Sequence, residues 1–118
     1  LLLDAKKIKQ VLINLIMNAR YAVGQNGTII VRTGINGQND MIRISIEDTG
    51  VGIEKKNLTR IFDPFFTTKP TGEGTGLGLS VSYGIIKNHG GDITVESRPG
   101  KGATFSIFLP APSPKPEA

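Results

Sequence analysis

The sequence predicts an α+β fold, a two-layer sandwich with a mixed, mostly antiparallel sheet and about three helices on one face. Three observations carry that expectation. Strand-like runs come in neighbouring pairs, Thr28–Thr33 with Met41–Glu47 and Asp92–Ser97 with Ala103–Leu109, each pair joined by turn-forming residues. Helical periodicity is confined to separate stretches before and between the pairs. The resulting order of helix, strand, strand, helix, helix, strand, strand lacks the strict alternation of a doubly wound parallel sheet.

Each element has its own justification. From Asp4 to Val23, Ile8, Val11, Leu12, Leu15, Ile16 and Ala19 recur at three- and four-residue spacing. Asp4 supplies an N-cap, and Gly24 and Gly27 mark the end. In the first strand pair β-branched residues alternate with polar ones, and Gly34–Asp40, containing Asn36-Gly37, is the connector. Asp48-Thr49-Gly50-Val51-Gly52-Ile53 is a sharp turn off the second strand. Glu54–Ile61 reads as a short helix closed by Phe62-Asp63-Pro64. Thr67–Gly76 is a loop without an apolar anchor, after which Leu77, Val81, Ile85 and Ile86 restore helical spacing up to Gly90-Gly91. Arg98–Gly102 joins the last two strands. Leu1-Leu2-Leu3 reads as the end of a strand begun upstream, so residues 1–110 are expected to be an excised domain. Pro110, Pro112, Pro114 and Pro116 make 111–118 an expected tail or linker.

Composition narrows the chemistry. With 118 residues the chain suits one small domain. The absence of cysteine excludes a disulfide scaffold, Cys-ligated zinc and thiol catalysis, and the single histidine, His89, excludes a two-histidine metal centre within this chain. The net charge of +4 arises entirely in residues 1–60. Its one dense cluster, Lys6, Lys7 and Lys9, has no interleaved aromatics, so a solvated helix face is expected and no nucleic-acid partner. No apolar run approaches the roughly 20 residues of a membrane span, and a cytoplasmic chain or fragment is expected. The informative excess is glycine, 15 residues, where an average of about 7% would give roughly half as many.

Three constellations stand out. Gln10, Asn14 and Asn18 lie four apart on one helix stripe, where asparagine opposes helix propensity. An exposed polar face and a set of carboxamide ligands for a phosphate-bound Mg²⁺ both fit. Asp48-Thr49-Gly50-Val51-Gly52 puts a carboxylate at a strand end, before two glycines that allow close backbone approach. That pattern serves as a plain turn or as a receptor for an exocyclic amine such as adenine's. Gly72-Glu73-Gly74-Thr75-Gly76-Leu77-Gly78-Leu79-Ser80 runs four glycines into a helix, which suits a flexible linker or a cradle of N–H groups for phosphate. Lys69 fits a phosphate contact and a solvated loop lysine equally. The spacing matches neither a P-loop nor Gly-x-Gly-x-x-Gly. Between the glycine motifs lie Phe62, Phe65 and Phe66, of which one or two are expected to pack against the core and anchor the loop.

Taken together, the order of these motifs resembles that of sensor histidine kinases. Asn14–Ala19 is similar to their N box, Asp48–Ile53 to the first glycine box, Phe62–Phe66 to the F box and Gly74–Leu79 to the second glycine box. His89-Gly90-Gly91 and Gly102–Phe105 fit the closing segments, and Phe-Phe-Thr-Thr-Lys is similar to the nitrogen-regulation and oxygen-sensing type. The resemblance spans Leu1 to Pro110. It implies the Bergerat ATP-binding (GHKL) fold, with ATP and Mg²⁺ as cofactors and a mobile lid.

By position it implies that Asp48 receives adenine N6, that Gly50, Gly52 and Ile53 shape the base pocket with Phe62 nearby, and that Asn14 ligates Mg²⁺. Asn18 helps hold metal or phosphate, and Lys69, Gly74, Thr75, Gly76, Leu77, Gly78 and Leu79 serve the phosphates. Tyr21 flanks the nucleotide or packs. Gln10 stands where hydrolysing relatives carry a water-activating glutamate, so transfer rather than hydrolysis is expected. Ala103 replaces a hydroxyl often found near the adenine carboxylate, leaving Thr104 as the neighbouring candidate. The implied partners are a dimerisation domain bearing the phosphoacceptor histidine and a response regulator. The isolated domain is expected to be a monomer, and the full-length protein a homodimer, cytoplasmic or the cytosolic part of a larger sensor. The other readings are a different Bergerat-fold ATPase and an anti-sigma-type serine-kinase module.

Overall fold

The structure is a computed structural model describing residues 4–36, 41–64, 66 and 78–110. Among these, seven elements follow in the order α1 (Ala5–Val23), β1 (Ile29–Asn36), β2 (Met41–Asp48), α2 (Lys55–Leu58), α3 (Gly78–Asn88), β3 (Asp92–Ser97) and β4 (Ala103–Pro110). The expected start of the chain, residues 37–40 of the Gly34–Asp40 connector, Phe65, the loop with Lys69, Gly74, Thr75, Gly76 and Leu77, and the 111–118 tail lie outside the described residues.

Helix α1 begins where an N-cap was expected. The Asp4 carboxylate accepts the backbone N–H groups of Lys6 at 3.1 Å and Lys7 at 3.3 Å, satisfying donors that a helix start leaves unpaired. The helix stops at Gly24, whose φ of +66° leaves helical geometry. Its stripe of Val11, Leu15 and Ala19 is buried against the sheet.

The described strands form one antiparallel sheet of order β1-β2-β4-β3, two hairpins joined edge to edge through β2 and β4. No parallel pair occurs among the described strands. The β1–β2 ladder runs from Ile29↔Asp48 to Asn36↔Met41, so the first strand reaches further into the expected connector than its alternation alone suggested. Because neighbouring residues on a strand face opposite sides, Ala103, Phe105, Ile107 and Leu109 of β4 turn inward while Thr104, Ser106 and Phe108 turn outward. The inward set meets Ile46, Ile61, Ile86 and Ile93 and the α1 stripe in a single apolar core. The outward face carries polar pairs: Arg32 pairs with Glu47, and the Ser45 and Ser106 hydroxyls lie 3.1 Å apart.

Two helices differ from expectation. Instead of running from Glu54 to Ile61, α2 is a single turn. Glu54 makes no side-chain cap, and the chain continues as successive four-residue turns, Arg60 N–H to Asn57 C=O, Asp63 to Arg60 and Phe66 to Asp63. Asn57 and Thr59 have weak helix propensity, and Pro64 bars an α-helical continuation. In α3, Val81 was expected on the apolar face but is 41% exposed, whereas Ser82 is fully buried beside Ile86. The buried face meets α1 at a polar residue, Asn14, and a serine suits that neighbour better than a valine.

Candidate functional site

The site grows from the end of β2. Asp48 is its last residue, lies on the inward face opposite Ala103 and Ile29, and is only 3% exposed. A buried carboxylate needs donors. Its Oδ1 accepts the Gly50 N–H at 2.8 Å, an interaction closing the turn off the strand.

The turn is tied down on every side. Val51 N–H reaches the Ala22 carbonyl at the end of α1, and Thr49 and Thr28 exchange two hydrogen bonds, Thr49 N–H to Thr28 C=O and Thr28 N–H to Thr49 Oγ1. On the other flank, Gly100 N–H donates to Val51 C=O at 2.7 Å and Ile53 N–H donates to Ser97 Oγ at 2.7 Å. Ser97 Oγ in turn donates to the Gly102 carbonyl at 2.7 Å. These ties explain the glycines. A Cβ at Gly50 would lie 2.4 Å from the Ala22 carbonyl oxygen, and Gly52 combines φ of +77° with a Cβ position 2.0 Å from the Arg98 carbonyl oxygen.

The second half of the site is the α1–α3 contact. Asn14 is half-buried, and its amide nitrogen donates to Ser82 Oγ at 3.2 Å and the Gly78 carbonyl at 3.4 Å, at the first turn of α3. Asn18 lies half-buried one turn on, while Gln10 and Tyr21 are exposed on the same helix. Gly78 and Leu79 open α3, whose N-terminal partial positive charge favours an anion. Phe62 packs on Tyr83 with ring centroids 5.2 Å apart and edge-on to Phe105 at 6.4 Å, the anchoring expected of it. Arg60 stacks over the Phe66 ring at 4.9 Å. Ile53 is half-buried in the core margin.

Thr104 is not brought to Asp48. It pairs with Glu47, so its side chain stands on the opposite face of the sheet, and the inward position beside Asp48 belongs to Ala103. The open-face side chains of Glu47, Glu96 and Thr104, with Arg98 and Lys101, line a cavity of about 570 Å³ that reaches round the strand ends to Asp48 and Ala103. His89 is placed away from this chemistry. Its Nε2 accepts the Asp4 N–H at 3.0 Å and its Nδ1 donates to the Ile85 carbonyl at 2.8 Å, so one nitrogen fixes the ring to the end of α3 and the other clasps it to the start of α1.

Sequence reasoning missed Ser82 and Ser97, the two serines that organise the site. Ser82 was detectable as a polar residue four before Ile86 in a helix whose other face carries Val81; Ser97 had no local signal, because its partners lie 44 and 5 residues away.

Among the described residues, no group of three or more His, Cys, Asp or Glu is placed to hold a metal ion. The side chains on hand for a hard cation carried in by a phosphorylated ligand are the half-buried carboxamides of Asn14 and Asn18, one turn apart on α1. Also among the described residues, no helix is long and apolar enough to cross a membrane.

A carboxylate-and-glycine turn fixed beside an asparagine-bearing helix, on a four-stranded antiparallel sheet, defines a class. The chain belongs to the family of histidine kinase-, DNA gyrase B-, and HSP90-like ATPases, whose sequence pattern matches residues 3–113. It is 48% identical over 107 residues to the sensor histidine kinase ZraS of Escherichia coli K12, covering 91% of this chain and 22% of that protein. To the sensor kinase CckA of Brucella abortus it is 47% identical over 120 residues, covering 91% and 13%. The chain thus spans about a fifth or less of the length of these relatives. In structure it is similar to the catalytic domain of histidine kinase ThkA, with a TM-score of 0.78 at 42% identity over 92% of this chain and 68% of that one. It is also similar to full-length ShkA in complex with AMPPNP, with a TM-score of 0.77 at 29% identity over 88% and 21%. The family is one of ATP-binding domains, and the α+β fold expected from the sequence is the fold of its histidine kinase members.

Proposed function

We propose that this chain binds Mg·ATP between α1, α3 and the Asp48 turn and presents the γ-phosphoryl group to a histidine on a separate dimerisation domain of a sensor histidine kinase. The observation that carries this reading is Asp48, a carboxylate buried at a strand end with one oxygen held by its own turn. Its other oxygen is the natural acceptor for adenine N6, while Gly50, Gly52 and Ile53 bound the base. The similarity to ShkA, solved with AMPPNP, supports the same ligand class.

In this reading Asn14 ligates Mg²⁺ through Oδ1, and Asn18 assists at the metal or phosphates. When bound, the metal would supply charge neutralisation at the phosphates. The backbone of Gly78 and Leu79, with Gly74, Thr75, Gly76, Leu77 and Lys69, receives the phosphates. Gln10 has no proton-accepting base, so the chain positions ATP for another nucleophile instead of activating water. Catalysis is then positioning and electrostatics. His89 is not the acceptor in this reading: its Nε2 is engaged by Asp4 at the start of α1 and its Nδ1 by Ile85 of its own helix. The partners are the dimerisation domain of the same kinase and its response regulator, with a homodimeric whole protein acting on the cytoplasmic side.

The test is direct. The isolated chain should bind ADP and ATP with Mg²⁺ and form no phosphohistidine of its own. Mixed with the histidine-bearing helical domain of its own kinase, it should phosphorylate that histidine. Stoichiometric phosphohistidine on the isolated chain would overturn the reading, as would robust release of phosphate without an acceptor.

A further inference from the structure

Asn14 and Ser82 meet across the α1–α3 interface, and the chemistry of their contact has a direction. The Gly78 carbonyl can only accept a hydrogen bond, so the Asn14 atom facing it at 3.4 Å is the amide nitrogen. Ser82 Oγ, 3.2 Å from the same nitrogen, takes its second N–H. Both donors of the amide are thereby committed to α3. Oδ1, the only atom of this side chain able to ligate a cation, is the opposite pole of the carboxamide.

Burial strengthens the case. Ser82 is fully buried, on the face of α3 that meets α1 at Asn14, and a hydroxyl stands there in place of an aliphatic side chain. A hydroxyl taken from water costs free energy unless it is bonded, and the structure gives it Asn14. Asparagine in the middle of a helix also has several rotamers open to it, and an amide held by one acceptor alone can turn about its terminal bond. Two acceptors one helical turn apart, the Gly78 carbonyl and the Ser82 hydroxyl, restrict that rotation.

We propose that Ser82 is a positioning residue for the metal, its hydroxyl acting with the Gly78 carbonyl to hold the Asn14 amide nitrogen so that Oδ1 faces the nucleotide-borne Mg²⁺. The inference rests on the proposal that Asn14 ligates this ion. It also couples two parts of the site, because both acceptors belong to the first turns of α3. The ligand atom is aimed only when that helix start is formed, so phosphate binding at α3 and metal ligation at α1 support one another. Partners of this kind around a metal ligand commonly contribute about 10- to 100-fold in metal affinity.

The experiment measures ADP binding to the chain by titration calorimetry, in Mg²⁺ and in excess EDTA, and takes the ratio of affinities. Wild type should bind more tightly with Mg²⁺. Ser82→Ala should cut that enhancement by about tenfold or more while the EDTA affinity stays within about twofold. Ser82→Thr, which keeps the hydroxyl, should retain most of the enhancement, and Ser82→Val, of the same shape without the oxygen, should lose it; comparing those two cancels any crowding by the extra methyl. Asn14→Ala should abolish the enhancement. Wild-type enhancement in Ser82→Ala and Ser82→Val, with Asn14→Ala defective, would overturn the role of Ser82 alone. Wild-type enhancement in Asn14→Ala would overturn the metal reading and the positioning role together. Equal loss in Thr and Val variants would show that packing, not the hydroxyl, is at work, and would also overturn it.

Discussion

Replacing Asp48 with asparagine tests the base pocket most sharply. The substitution conserves size at a position only 3% exposed, so the core around Ala103 and Ile46 is left in place. Asparagine can keep its oxygen on the Gly50 N–H, the bond Asp48 now accepts at 2.8 Å. That choice turns its amide nitrogen toward the ligand, where adenine N6 also presents hydrogens, and two donors then face each other. A hydrogen bond to a charged group contributes about 1.5–3 kcal/mol, and each 1.4 kcal/mol is tenfold, so Mg·ADP should bind roughly 10- to 150-fold more weakly. Calorimetric titration reads the affinity, and a urea midpoint close to wild type establishes that the variant is folded. Guanine carries an acceptor, O6, where adenine carries its amine, so the Mg·GDP-to-Mg·ADP preference should move toward GDP. A folded variant losing less than about threefold in ADP affinity, with the preference unmoved, would refute the assignment of Asp48 to the base.

Further perturbations separate the other ties. Gly52→Ala meets both a positive φ and the Arg98 carbonyl, whereas Gly100→Ala meets a φ of +76° with nothing within 4 Å. The second should cost about 1–2 kcal/mol, the first at least about 1 kcal/mol more, measured by urea unfolding; equal losses would show that the close approach to Arg98 is immaterial. His89→Ala removes the hydrogen bond from Asp4 at the start of α1 and the bond that anchors the ring to Ile85 of its own helix, and should cost about 1–2 kcal/mol in the same assay; no change would refute the clasp. Lys87 is held protonated above its ordinary 10.5, first by its hydrogen bond to Asp92 and then by that carboxylate's charge. A group raised on folding stabilises below its unfolded pKa and loses that contribution as pH rises through the folded value. The small unfolding-midpoint gap between wild type and Lys87→Met should therefore persist at neutral pH and close above pH 10.5, and a gap that is constant through that range would count against the pair.

What the sequence made legible was whatever has a local period or a local chemistry. The α1 stripe, the Asp4 cap, the two hairpins and the packing of Phe62 are each written within a few residues, and the structure carries all of them. What escaped depends on partners distant in the chain. Thr104 looked adjacent to the Asp48 site in sequence logic, but only the β2–β4 register, Asp48↔Ala103 and Glu47↔Thr104, decides which side chain shares the face. Hydrophobicity marked Val81 as buried, and the asparagine across the helix interface reversed that with Ser82. The length of α2 was overestimated because Ile61 is held by the core, with Phe62 packed against it, through a string of turns that do not require continuous helix.

The Asp48–Ile53 turn is bonded to the end of α1, to the start of β1 and to the β3–β4 hairpin. Its shape is therefore settled when the protein folds, before any ligand arrives. The conformational entropy of arranging that turn is spent in folding, so a ligand meeting it loses mainly its own freedom. A nucleobase alone should then find its seat ready-made, and nucleotides that share a base but differ in phosphate number should share most of their recognition at this end of the molecule.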